Sequence, residues 1–247
     1  MAPRLVVLSL ASDFGCQVQL TNMTGELLDV LGLVDLSYWQ LATSGHMPAD
    51  YDVAIIEGAV TTDEHVALLA NVRRTAAVVI AMGTCANTGG IPAIAGGLGY
   101  ESRYAVVYGD GVAVAPGRRA PLPVDFFIKV DYHVPGCPID TDEFLRVLSH
   151  VLLGLSDRVP DMTMCASCKV NETVCFYDRS ELCLGLVTRA GCGARCTSLG
   201  RACTGCRGIA PDANLVSARE IAARSGVRTG DLDKALRVYN ALTEVHA

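Results

Sequence analysis

The chain lacks any stretch of 18 apolar residues free of charge, so the sequence predicts no membrane span. It lacks a basic excess: 20 Lys and Arg stand against 26 Asp and Glu, a formal charge of −6. That balance argues against nucleic acid as the main partner, because neutralising phosphates requires a cationic face. No export signal is expected either. Met1-Ala2-Pro3-Arg4 runs straight into Leu5-Val6-Val7-Leu8 with no basic segment before a cleavable apolar one. Arg73-Arg74 and Arg118-Arg119 lie too far inside the chain for a twin-arginine leader. A cytoplasmic location is the expectation. No Gly-x-Gly-x-x-Gly opens a helix after a strand, and Gly109-Asp110-Gly111 reads as a loop, so no dinucleotide fingerprint is present.

What is present is a globular chain of 247 residues, 51% hydrophobic and 19% charged, long enough to bury a core. Up to about residue 155 it alternates apolar runs with helix-length segments. Arg4–Leu10, Asp52–Ile56 and Ala76–Met82 read as buried strands, with Leu33–Trp39 weaker and Phe127–Val130 as a last strand. Gly15–Leu31 carries Val18, Met23, Leu27, Leu28 and Leu31 at helical spacing, and Thr61-Thr62-Asp63-Glu64 starts a helix to about Arg74. Ile91 to Pro123, rich in Gly and Pro, reads as loops and short helices. Asp140–Leu153 is a helix with Leu145, Leu148 and Leu152 on one side. Strand and helix alternating without hairpin turns predicts a parallel, doubly wound α/β domain over 1–158. From Val159 the character changes. Asp161–Ile209 shows no regular period and is not expected to make a conventional core, and Ser217–Ala223 and Asp231–Val245 read as short helices. Residues 159–247 are therefore expected to form a second, irregular, cysteine-rich domain.

Eight of the 11 cysteines fall between Cys165 and Cys206. The order is Cys165-x2-Cys168-x6-Cys175-x7-Cys183, then Cys192-x3-Cys196-x6-Cys203-x2-Cys206. Two sets of four thiolates are what tetrahedral zinc or a cubane iron–sulfur cluster requires. In a reducing compartment such a count favours metal over disulfides. The remaining three, Cys16, Cys85 and Cys137, each follow a strand or sit in a turn beside glycine. The carboxyl ends of parallel strands converge on one edge, so these three could meet in space. Taken alone they read equally as buried structural cysteines.

Asp13-Phe14-Gly15-Cys16-Gln17, Ile56-Glu57-Gly58, Gly83-Thr84-Cys85-Ala86, Pro135-Gly136-Cys137-Pro138 and the run from Cys183 to Cys206 resemble the small, electron-transferring subunit of NiFe hydrogenases. The likeness is greatest to the cytoplasmic, NAD(P)-linked type called sulfhydrogenase delta subunit, and it covers nearly the whole chain. It implies a flavodoxin-like first domain and three iron–sulfur clusters. The proximal ligand positions fall on Asp13, Cys16, Cys85 and Cys137. The distal ones fall on Cys165, Cys168, Cys175 and Cys183, and the medial ones on Cys192, Cys196, Cys203 and Cys206. Many relatives place histidine where Cys165 stands and proline where Cys196 stands, and a fourth medial thiolate favours 4Fe–4S over 3Fe–4S. The resemblance also implies a large subunit holding nickel and iron, and flavin-containing iron–sulfur diaphorase subunits that use NAD(P). With a cluster at the sheet edge, neither flavin nor nucleotide is expected on this chain.

The departure is Asp13, where the family pattern has cysteine. The carboxylate ligates the fourth iron, the cluster is 3Fe–4S, or water or another side chain fills the place; an anionic oxygen at the right offset favours ligation. Glu57 ends a buried strand at the same edge, either accepting hydrogen bonds near the proximal set or serving as a cap or loop anchor. His133, four residues before Cys137, is not assigned as a ligand, and Trp39 and Tyr38 are expected in the core or an interface. Lys169, Arg179, Arg189, Arg195, Arg201 and Arg207 either offset cluster charge or form a solvated cationic face. Two other functions compete. One is a complex I-like cluster subunit, disfavoured by the downstream cysteines; the other is a zinc-binding structural or interaction module, disfavoured by the loose x6 and x7 spacings.

Overall fold

The computed structural model describes residues 2–243 apart from 24, 26–28, 30, 31 and 98. Contacts divide the chain into two compact units, Met1–Asp157 and Arg158–Ala247.

In the first unit, β1 (Arg4–Ser9), β2 (Asp35–Trp39), β3 (Val53–Glu57), β5 (Val78–Met82) and β7 (Tyr132–Val134) form one parallel sheet in the order β2-β1-β3-β5-β7. Counted along that sheet the order is the flavodoxin-like one, in which the strand sequence reverses between the first strand and its next neighbour. Consecutive residues of a strand face opposite sides, and the apolar runs fill both. Leu5, Val7, Ile55 and Ile80 meet Leu20, Phe144, Val147 and Leu148 on one face. Val6, Leu8, Ile56 and Val79 meet Leu69 and Val72 on the other. Fully burying one such side chain contributes roughly 1.5–3 kcal/mol.

The helices begin where the sequence supplies caps. Thr62 accepts the N–H of His65 at 3.1 Å ahead of the helix Asp63–Thr75, and Asp140 accepts that of Glu143 at 3.1 Å ahead of Thr141–Leu152. The buried stripe of that last helix is Phe144, Val147 and Leu148; Leu145 and Leu152 are partly buried around it. The helix after β1 is Gly15–Thr21, ended by Asn22, and Leu27, Leu28 and Leu31 lie outside the described residues.

Two strand readings change. The last strand is Tyr132–Val134, because Phe127, Ile128 and Val130 pack, partly buried, against the core without entering the sheet. Between Ile91 and Pro123 the chain makes the helices Gly90–Ile94 and Tyr100–Tyr108 and then β6 (Arg118–Leu122), which pairs antiparallel with β4 (Val60–Thr62).

The second unit has a core after all. Met164, Phe176, Tyr177, Leu184 and Val187 pack with Ala218, Ala222, Leu232 and Leu236 from the helices Leu215–Arg224 and Thr229–Tyr239. Cys183 and Cys203 are buried members of the same cluster. The irregular segment supplies most of that core and the tail helices close it. Around Thr188 three short segments bridge antiparallel, Thr163 to Arg189 and Thr188 to Ile209. Each of these segments runs within a few residues of a cysteine: Cys165, Cys192 or Cys206. Among the described residues no helix is long and apolar enough to cross a membrane.

Candidate iron–sulfur centres

In the first unit the sheet register lines up the places from which the candidate ligands leave. Ser9 pairs with Glu57, Glu57 with Met82, and Met82 with Val134. Asp13 and Cys16 follow the first of these ends, Cys85 the third and Cys137 the fourth. The loops are tied to one another. Ala11 and Ala59 exchange N–H···O bonds of 3.1 and 3.0 Å, and the Thr84 N–H donates to the Gly136 carbonyl at 2.9 Å. Phe14 turns left-handed at φ 62°, a costly conformation for a bulky residue, and thereby swings Gly15 and Cys16 into a helix start.

The space between the loops is shaped for sulfur. A Cβ on Gly83, whose φ is +84°, would fall 2.5 Å from the Cys16 Sγ. One on Gly90, at φ +51°, would fall 2.9 Å from the Cys85 backbone. Only glycine fits either place. Glu57, 1% exposed, accepts the Cys16 N–H at 2.9 Å and the Ser12 hydroxyl at 3.0 Å on Oε1, while its buried Oε2 has no hydrogen-bond partner. It therefore holds the Cys16 turn and keeps a second buried oxygen in reserve. Asp13 is exposed and its Oδ1 accepts the Gly15 N–H at 2.9 Å, a local turn contact that leaves Oδ2 open.

The electrostatics identify which groups sit within reach of one another. Burial, then the Glu57 carboxylate, then Cys137 and Cys85 push the Cys16 thiol well above its ordinary value. Cys85 is pushed up to about 11 by burial and Cys137, with Asp13 and Glu57 adding. Asp13, Cys16, Cys85, Cys137 and Glu57 thus form one charge-coupled group. A catalytic thiol needs its pKa lowered, and here it is raised. Such a set suits a multinuclear metal group, which deprotonates its thiol ligands outright.

In the second unit Cys165, Cys168, Cys175 and Cys183 all line one cavity of about 90 Å³, together with Lys169, Phe176, Tyr177 and Gly185. A water needs on the order of 10–15 Å³ measured this way, so the space takes something several times larger. Burial, then Cys183, Cys168 and Cys175, push Cys165 up to about 11, while Lys169 pulls the other way. Backbone N–H groups aim at the buried sulfurs throughout: those of Gly185 and Cys203 at Cys183, of Gly205 at Cys203, of Ile139 at Cys16, and of Ile91 at Cys85. Donors of this kind stabilise sulfur that carries added negative charge.

In the last set Cys203, pushed up to about 12 mainly by burial, feels Cys206, and Cys192 contacts the Met164 sulfur at 3.8 Å. Cys196 is exposed on the short helix Arg195–Ser198. Among the described residues no three His, Cys, Asp or Glu side chains converge on one point as ligands of a single ion do. The first downstream quartet instead surrounds a space wider than one ion.

Several residues outside the thiol sets have settled roles. The Nδ1 of His133 pairs with Asn87 Oδ1 at 2.6 Å, and buried Trp39 donates its indole N–H to Gln17 at 2.9 Å. Arg207 departs from a solvated cationic face: it is 2% exposed and donates to the Arg189 and Ala190 carbonyls at 2.9–3.2 Å. Ser12, Thr188 and Met164 carried no signal in the sequence, because each acts through a contact with a distant segment. Gly83 did carry one, in the Gly83-Thr84-Cys85 turn, whereas Gly90, five residues beyond Cys85, did not.

A flavodoxin-ordered sheet with thiols gathered at its carboxyl edge defines a class. The chain belongs to the family described as NADH ubiquinone oxidoreductase, 20 Kd subunit, whose model matches residues 14–151. Its relatives narrow this further. It is 33% identical over 219 residues to sulfhydrogenase 2 subunit delta of Pyrococcus furiosus, covering 88% of this chain and 91% of that one. It is 26% identical over 171 residues to NAD-reducing hydrogenase HoxS subunit delta of Cupriavidus necator, covering 64% of this chain and 82% of that one. A chain of the NAD+-reducing [NiFe]-hydrogenase, solved in the H2-reduced state, superposes with a TM-score of 0.56 at 29% identity, covering 65% of this chain and 96% of that one. The chain is thus of the sulfhydrogenase delta kind. The family match ends before the first downstream cysteine, so the downstream quartets lie beyond the part shared with the 20 Kd subunit.

Proposed function

We propose that this chain is the electron-relaying small subunit of a cytoplasmic NiFe hydrogenase. In this reading it works between a large subunit that holds nickel and iron and a flavin- and iron–sulfur-containing diaphorase module that uses NAD(P). It has no catalytic metal of its own. Eleven cysteines and Asp13 supply twelve ligands, enough for three cubane clusters. Asp13, Cys16, Cys85 and Cys137 would hold the proximal one, Cys192, Cys196, Cys203 and Cys206 the medial one, and Cys165, Cys168, Cys175 and Cys183 the distal one. Residues 1–158 would carry the first and residues 159–247 the other two. Bound iron–sulfur clusters supply one-electron storage at low potential.

The observation that carries the reading is the cavity bounded by Cys165, Cys168, Cys175 and Cys183. The chain's own residues would do the rest. They deliver thiolates on short turns, aim N–H groups at sulfur and keep water off the buried side. Glu57 would fix the Cys16 turn next to the proximal set, and the open Oδ2 of Asp13 is the atom available to a fourth iron.

Anaerobically purified protein should be brown, with about 12 irons per chain if all three sets are filled with cubanes. A colourless protein holding zinc would establish the structural module instead and end the redox reading. Asp13→Cys should alter the proximal EPR signal; a spectrum identical to the parent would remove Asp13 from the ligand set. Glu57→Gln, which keeps an acceptor at Oε1, should leave that signal closer to the parent than Glu57→Ala does. Equal spectra for the two would make Glu57 a packing residue.

A further inference from the structure

The two downstream quartets share a seam. The Cys203 N–H donates to the Sγ of Cys183 at 3.3 Å, and the Leu184 N–H returns to the Cys203 carbonyl at 2.9 Å. A ligand candidate of one set is therefore hydrogen-bonded in both directions to the sulfur and the next residue of the other. Gly185 stands at the same place. A Cβ on it would lie 3.5 Å from the Cys183 Sγ, 3.6 Å from the Cys165 Sγ and 3.9 Å from the Cys203 Cβ. Across from it, Met164, buried and immediately before Cys165, touches the Cys192 thiol through its sulfur at 3.8 Å. Cys196 is exposed and stands outside these contacts.

We propose that this seam makes one redox unit of the two quartets, in which the Cys203 amide sets the potential of whatever is held through Cys183. The proposal rests on the reading that both quartets hold iron–sulfur clusters. Adding one electron forms and breaks no bond, but it places extra negative charge on the ligating sulfurs. An N–H aimed at Cys183 stabilises that charge and so raises the potential of its set. The Cys203 side chain, once anchored in its own set, fixes the plane of the peptide that supplies this donor. A disturbance at Cys203 is then felt at Cys183, whereas one at Cys196 is not.

The test uses the assembled hydrogenase, poised electrochemically with dithionite as reductant and followed by EPR. Cys196→Ser and Cys203→Ser each alter one ligand of the same quartet, so any general charge effect appears in both. The proposal expects the signal of the Cys165–Cys183 quartet to keep its midpoint and line shape in Cys196→Ser. In Cys203→Ser that signal should move. A shift of equal size in both variants, or in neither, would overturn it. Should Cys203→Ser fail to assemble, Gly185→Ala decides, because it keeps every thiol and sets a methyl against Cys183. A shifted signal there supports the seam, and a parental one overturns it. A parent complex with no cluster signals fails the cluster reading itself, a different and recognisable result.

Discussion

In Met1–Asp157 the candidate ligands follow three strand ends far apart in sequence, and the core beneath them is a sheet with an apolar layer on each face. Among the described residues Cys16 is the one cysteine in those two layers. In Arg158–Ala247 the candidate ligands are close neighbours in sequence, and Cys183 and Cys203 belong to the core itself, with Cys168 and Cys192 packed against it. The first unit has a scaffold that positions thiols; the second has thiols that form part of the scaffold. The difference teaches where metal and folding are coupled. A sheet can persist without its ligand, whereas a core built partly from ligands depends on what they hold.

Removing iron breaks this comparison or sharpens it most. After chelation, amides of the second unit should lose hydrogen-exchange protection, while Val6, Ile55 and Ile80 keep theirs. Equal loss in both units would show that the sheet depends on metal as well. Next comes a pair of core truncations, each expected to cost about 2–5 kcal/mol. Leu69→Ala should lower only the melting temperature, whereas Leu184→Ala, between Cys183 and Gly185, should also lower the iron content. Retained iron in Leu184→Ala would separate that core from its thiols.

A smaller effect belongs to Asp131 in the first unit. Burial alone would raise its carboxyl, but Arg73 at 2.5 Å, the Val79 N–H and Lys129 outweigh it and hold it below the usual range. A depressed carboxyl contributes stability above its unfolded pKa and loses it as pH falls through the folded one. Asp131→Asn should therefore cost roughly 1.5–3 kcal/mol at neutral pH, the range for hydrogen bonds to a charged group. By urea unfolding, the gap to the parent should close in acid; a gap independent of pH would deny the pairing. The smallest effect is Thr62→Ala, which removes one helix cap and should cost about 1 kcal/mol.

The sequence made the sheet legible because its central strands are continuous apolar runs, as in Leu5–Leu8 and Val53–Ile56. It did not reveal Arg118–Leu122, a largely exposed strand that contains a proline and pairs with only one neighbour. It misplaced β7, since Phe127, Ile128 and Val130 are as apolar as a strand yet pack from outside the sheet. The second core was hidden because its partners, such as Leu184 and Leu236, are separated by long irregular stretches. Thiol spacing marked the two quartets as candidates, and the structure gathers Cys165, Cys168, Cys175 and Cys183 around one cavity. The spacing gave no hint of the Cys203 amide meeting Cys183, because backbone donors leave no mark in side-chain identity.

Each set leaves one sulfur at the surface: Cys137, Cys175 and Cys196 are its exposed members. If the three sets hold iron as proposed, air would start its corrosion at those three corners, stripping the outermost iron before the interior gives way. Handling under argon follows from that geometry.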